Sequence, residues 1–277
     1  MSEKKKLNEK QRRSEQQVAV TLPYCFEGIR KNEEINALIE QGNRVLKVMG
    51  YTEHSKRHAM KVSSAAGTLL EELGYSAHEV ELARIAGYMH DIGNAVNRHD
   101  HAHSGALLAY QILRGLGMPL SDILIITTAI GHHDEQTGTA VDPVSAALIL
   151  ADKTDVRRNR VQNQNIAKFD AHDRVNYAAL EVKLHLKDEK DRKKKKRKTE
   201  AAAESSAAAM ERSAQETEME QTGKSGKIIQ MDLTLDSEMS SVMDYFEIFL
   251  ERMLMCRRAA EVLGCRFKLV ANGSKLC

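Results

Sequence analysis

A chain of 277 residues with 42% hydrophobic and 29% charged side chains is long enough for one substantial core and a small second unit. No apolar run approaches the roughly 18 residues of a membrane span, and the lysine-rich start has no apolar stretch behind it, so the expectation is a cytoplasmic protein without membrane partners. The formal charge of +2 is uneven, since residues 187–198 are strongly basic and the remainder mildly acidic; a nucleic acid is not the expected partner, and the basic run reads as a solvated tether.

Residues 1–31 are polar and unpatterned. Helical periodicity begins near Asn32, with Ile35, Leu38, Ile39, Val45, Leu46 and Val48, and stops at Gly50. Thr52 is the expected cap of a second helix carrying His54 and His58 and ending at Gly74; Ser76 caps a third, which runs to His90-Asp91 and stops at Gly93. After a loop to Asp100, a helix from His101 to Leu116 puts Leu107, Leu108, Ile112 and Leu113 on one face. Pro119 opens another, which delivers His132-His133 at its end, and Pro143 opens one with Asp152 near its close. These helices and their short connections predict an all-α bundle over residues 32–174.

The period then changes to two. Residues 180–187 and 227–235 alternate apolar and polar, as half-buried strands do, and residues 188–226 between them form a charged low-complexity insertion expected to be disordered. Asp236 or Ser237 caps a long helix with a stripe of Met243, Phe246, Phe249, Leu250, Met253, Leu254 and Val262, and residues 265–270 read as a last strand. The expected fold is mainly α: a helical bundle followed, over residues 175–277, by a small β-β-α-β unit that packs on the bundle or on a second copy to make a homodimer.

The groups that carry chemistry are, in order, His54, His58, His90, Asp91, His101, His103, His132, His133 and Asp152. Imidazoles and carboxylates converging inside a bundle are costly unless paired or metallated. The four cysteines (Cys25, Cys256, Cys265, Cys277) lie outside this region and form no Cys-x-x-Cys pair, so the donors are nitrogen and oxygen. Such donors suit iron, manganese or another divalent transition ion rather than structural zinc. There are enough for two ions with Asp91 as bridge, an arrangement that clamps a phosphoryl group.

The run resembles the HD-domain superfamily of metal-dependent phosphohydrolases. His58-Ala-Met-Lys-Val62 is similar to the first-helix His motif of HD-GYP phosphodiesterases, and His90-Asp91-Ile-Gly to their signature pair. His101-Ala-His-Ser-Gly-Ala106 resembles the His-x-x-x-Gly-Ala element of those enzymes and of bacterial HD-type symmetrical diadenosine tetraphosphate hydrolases. His132-His133 is like the HD-GYP double His, and Ala151-Asp152-Lys-Thr-Asp-Val-Arg-Arg158 resembles the Ala-Asp-Lys segment of the tetraphosphate hydrolases.

The resemblance implies metal ligation by His58, His90, Asp91, His101, His132, His133 and Asp152, with Asp91 at the centre of catalysis. It adds His54 as a further ligand, His103 as a second choice beside His101, and contacts to substrate phosphate from Lys153 and Arg158, with Asn94 standing where a lysine is common. The Gly-Tyr-Pro run after the double His is replaced by Asp134-Glu-Gln-Thr-Gly-Thr, so cyclic di-GMP is not the expected substrate. The implied activity is hydrolysis of a small-molecule phosphate ester or nucleotide with two divalent cations, iron or manganese. The alternatives are an HD-type di-iron oxygenase and a non-catalytic nucleotide-sensing module.

Overall fold

The structure is a computed structural model that describes residues 22–188 and 226–276. Two helices open it, α1 (Phe26–Lys31) and α2 (Glu33–Val48), the second capped by the Asn32 side chain, which accepts from Ile35 N–H. Helix α3 (Lys56–Leu73) begins later than a Thr52 cap would place it, because Ser55 takes the cap and accepts from Arg57 N–H. His54 therefore lies on the approach to the helix and not one turn inside it. Helix α4 (Ala77–Met89) starts with a reciprocal capping box between Ser76 and Glu79 and passes through His90 and Asp91 into a 3-10 turn at Ile92–Ala95. Helices α5 (His101–Gly115), α6 (Leu120–Gly131) and α7 (Pro143–Lys153) follow, α7 with an Asp142/Ser145 capping box. Helix α8 (Ala171–Ala178) is too short for hydrophobic periodicity to announce it.

The core is made by Val62, Ala66 and Leu70 of α3, Ile85 and Met89 of α4, Ile123, Ile126 and Ile130 of α6, and an almost wholly buried α7. Two glycines set how closely these elements approach. A Cβ on Gly87 would lie 2.8 Å from the Ser63 Cα, so α3 and α4 touch backbone to backbone, and one on Gly93 would run into the His101 carbonyl oxygen. Leu107 turns outward at 69% exposure, while Ile112 and Leu113 of the expected stripe are buried together with Ala102, Gly105 and Ala109.

The C-terminal part is a four-stranded sheet in the order β1 (Ala179–Asp188), β2 (Lys227–Leu235), β3 (Arg266–Ala271), β4 (Ser274–Lys275). Strands β1 and β2 are antiparallel, with Asp188 opposite Lys227; β3 runs parallel to β2 after a crossover through α9 (Val242–Val262). The cap of α9 is Ser241, paired with Asp244, and not Asp236 or Ser237, because residues 236–240 form a turn of their own. The buried face of α9 is Tyr245, Phe249, Met253, Met255, Cys256, Ala259 and Ala260, whereas Met243, Leu250 and Val262 of the expected stripe are exposed. That face packs on α7 and on β3, so the sheet and the bundle share one core. Residues 1–21 of the polar segment and nearly all of the 188–226 insertion lie outside the described residues. Among the described residues no helix is long and apolar enough to cross a membrane.

Candidate metal centre

Four imidazoles are turned toward Asp91 by the same device. His58 Nδ1 lies 2.8 Å from Asp155 Oδ2, His90 Nδ1 2.9 Å from the Gly87 carbonyl, His101 Nδ1 3.1 Å from the Arg98 carbonyl and His133 Nδ1 2.6 Å from the Ile130 carbonyl. Carbonyls and carboxylates only accept, so each Nδ1 carries the proton and each Nε2 faces the centre. Three of the acceptors are carbonyls three residues earlier in the chain. The ends of α4 and α6, and the turn before α5, thus orient these three rings through main-chain acceptors.

The Nε2 atoms fall into two groups joined by Asp91. His58 and His90 have their Nε2 atoms 3.2 Å apart, at 3.5 and 3.1 Å from Asp91 Oδ2 and at 3.3 and 3.6 Å from Asp152 Oδ1. On the other side, His101 and His133 have Nε2 atoms 3.1 Å apart, at 3.6 and 4.0 Å from Asp91 Oδ1. The sets His58, His90, Asp152 and His90, Asp91, His133 each hold ligand atoms within 4.8 Å of one another. Among the described residues the buried Asp91 Oδ2 has no hydrogen-bond donor while the facing Nε2 atoms are unprotonated, a deficit that a cation would fill. The donor set, imidazole nitrogen and carboxylate oxygen without thiolate, fits a divalent transition metal.

The charges respond to this crowding. Burial opposes a charge on His90, but Asp91 and Asp152 outweigh it and push the ring up to about 10. His58 is raised in the same way: burial and Arg160 oppose its charge, but the carboxylates of Asp152, Asp155 and Asp91, able to accept from its ring N–H groups, outweigh them. Burial dominates at His54 and His133 and holds both well below 6.5; His101 is also lowered by burial. Burial would raise Asp91 and Asp152, yet His90 beside the first and Lys153 beside the second keep both carboxylates well below their usual range.

The other sequence-predicted residues are placed as follows. His54 Nε2 lies 3.9 Å from Asp91 Oδ2, at the rim of the first group. His132 stays outside both groups; its partly buried ring ends in an Nδ1 without a hydrogen bond, since successive residues at the end of α6 point in different directions and only His133 turns inward. His103 is 57% exposed and faces Asp100, because it sits two positions along α5 from His101 and so on another side of the helix. Arg158 is tied to the Tyr177 carbonyl and to Asp236 at the foot of the sheet, away from the centre. Asn94 is fully buried and donates to Asp91 Oδ1 at 2.8 Å, so it orients that carboxylate. Lys153 is buried between Glu135 and Asp152, at 2.7 and 2.9 Å.

The centre opens on a cleft of about 680 Å³ lined by, among others, His54, Tyr51, Arg98, Arg160, His172, Asn176, Phe249 and Arg252. Sequence reading passed over several of these residues. Asp155, outside the cleft, lies within the Ala151–Arg158 segment, and the need of an inward-facing His58 for an acceptor at Nδ1 is the signal that would have found it. Arg98, whose Nη1 lies 3.1 Å from His101 Nε2, and Arg160, held by the Glu53 and Asp155 carbonyls, are loop residues without a spacing pattern.

The chain is similar in part of its length to several known proteins. Ribonuclease Y of Thermosipho melanesiensis is 32% identical over 116 residues, which is 41% of this chain and 21% of that protein, and ribonuclease Y of Thermus thermophilus is 30% identical over 132 residues, 45% and 21%. The chain thus spans about a fifth of the length of these relatives. An uncharacterized protein of Methanocaldococcus jannaschii is 26% identical over 189 residues, 60% of this chain and 72% of that one. A crystal structure described as a predicted HD superfamily hydrolase from an uncultured Thermotogales bacterium superposes with a TM-score of 0.36 at 24% identity, covering 45% of this chain and 67% of that one. Residues 56–159, the segment that contains His58, His90, Asp91, His101, His133 and Asp152, match the HD domain family.

Proposed function

We propose that the chain is a metal-dependent phosphohydrolase that acts on a nucleotide or another phosphate ester, using two divalent cations, iron or manganese, held on either side of Asp91. The observation that carries this reading is the bridging position of Asp91, with one carboxylate oxygen toward His58 and His90 and the other toward His101 and His133. His58, His90, Asp91 and Asp152 would hold one cation, and Asp91, His101 and His133 the other, with His54 as a further ligand at the rim. When bound, such a pair supplies Lewis-acid charge and lowers the pKa of a water to the neutral range.

The protein's own groups do the rest. Asn94 and Asp155 fix the orientation of Asp91 and His58. Arg98 and Arg160 bring guanidinium groups into the cleft, where they meet phosphate oxygens. Lys153 is committed to two carboxylates and supports the ligand Asp152 in place of contacting substrate. The HD domain match supports the hydrolase reading. The ribonuclease Y relatives bring RNA phosphodiesters into the substrate range beside small phosphate esters.

The test is metal analysis of protein purified without added metal, followed by a release assay over phosphomonoesters, nucleotides, dinucleotides and short RNA with manganese in the absence of oxygen. Turnover that depends on metal and disappears in Asp91→Ala is expected, and would also exclude an oxygenase. Tight binding of unhydrolysed nucleotide by fully metallated protein would point to the sensor reading, and a panel without metal-dependent turnover would overturn the proposal.

A further inference from the structure

Four charged side chains of alternating sign run from the C-terminal helix to the metal centre. Arg252 of α9 donates from Nε to Glu135 Oε1 at 2.9 Å, Glu135 Oε2 meets Lys153 Nζ at 2.7 Å, and Lys153 Nζ meets Asp152 Oδ2 at 2.9 Å, leaving Asp152 Oδ1 turned toward His58 and His90. Lys153 is buried, the Glu135 side chain is 16% exposed and Arg252 28%, so the inner pairs are shielded from solvent and the outer one is partly so. The Arg252 guanidinium is further fixed against the Phe249 ring at 4.7 Å.

We infer that Arg252 is a positioning residue for the metal ligand Asp152, acting through Glu135 and Lys153, and that the C-terminal unit is thereby an integral part of the centre. Glu135 and Asp152 compete for one ammonium group. With Arg252 neutralising Glu135, Lys153 can keep its bond to Asp152 Oδ2 and hold that carboxylate in one rotamer. Without Arg252, Glu135 draws Lys153 away and Asp152 is free to turn. The inference rests on the reading of Asp152 as a ligand.

The experiment titrates manganese into the full-length metal-free protein and follows the free ion by its electron paramagnetic resonance signal, with melting temperature measured in parallel. Outer-shell partners of metal ligands are worth roughly 10–100-fold in affinity, and Arg252 is one step further removed, so Arg252→Gln is expected to weaken manganese binding about tenfold. Arg252→Lys, which keeps the charge beside Glu135, recovers part of the loss. The double variant Glu135→Gln/Arg252→Gln, which removes the competitor as well, binds more tightly than Arg252→Gln alone.

A merely structural arginine would lower the melting temperature of Arg252→Gln and leave manganese affinity at the wild-type value, which overturns the inference. So does a double variant that binds no better than the single one. Wild-type protein that binds no manganese overturns the metal reading itself, and this inference with it.

Discussion

Asp155 never faces the open cleft, yet its carboxylate serves His58 on one oxygen, Lys61 on the other, and both Nε and Nη2 of Arg157. Burial opposes its charge, but His58 and Arg157 hold it far below the usual carboxylate range. Asp155→Ala is expected to weaken metal binding by roughly 10–100-fold, since His58 loses the acceptor that fixes its tautomer. It should also cost about 3–5 kcal/mol, because buried positive groups lose their partner; a denaturant midpoint measured in parallel separates the two effects. Asp155 and Glu135 are both depressed in the folded state, so their stabilisation is present above about pH 4 and lost as pH falls, which a melting curve against pH will show. At His90 the sign is opposite. Its raised value stabilises the metal-free fold fully below about 6.5 and the contribution disappears as pH rises through about 10. A cation must displace that proton, so manganese affinity should rise with pH by up to about tenfold per unit for each proton released, and a flat profile between about pH 7 and 9 would contradict the assignment of His90 as a ligand. The sequence made His90, Asp91 and Asp152 conspicuous because they end apolar helices. It could not separate His132 from His133, because which of two adjacent rings turns inward is decided by the last turn of α6 and by its carbonyl at Ile130.

At the scale of elements, the centre depends on how closely helices approach. His58 belongs to α3 and His90 ends α4, and the bare Cα of Gly87 against Ser63 brings the two together. Gly87→Ala is expected to destabilise by about 1–3 kcal/mol through overpacking, and to loosen metal binding because the two imidazoles move apart. Gly115→Ala is the control, since a Cβ there meets nothing within 4 Å and a helical alanine should be neutral or stabilising by up to about 1 kcal/mol. Chemical denaturation of both variants checks the difference. Helix boundaries were legible where capping chemistry is local, as at Ser76 and Pro143. They were misplaced at Thr52 and Asp236, where a second candidate cap lies a few residues further on and tertiary packing chooses between them.

For the whole molecule, the period of two announced the sheet, but nothing in the chain announced that α9 would lie on α7 and send Arg252 to Glu135, 117 residues away in sequence. That contact depends on packing between parts that have no pattern in common. Because the sheet and the bundle share one core, loss of the β3 strand by Leu269→Pro should unfold the metal centre too, and a shared transition by circular dichroism and by bound manganese is the expected outcome. The pairing of Asp188 with Lys227 has a practical consequence: the backbone leaves and re-enters the sheet at neighbouring points, so the intervening 189–226 tract has no distance to span. Replacing it by a short glycine-rich turn should give a compact variant with its melting temperature unchanged or higher, shorter loops costing roughly 1–2 kcal/mol less to close.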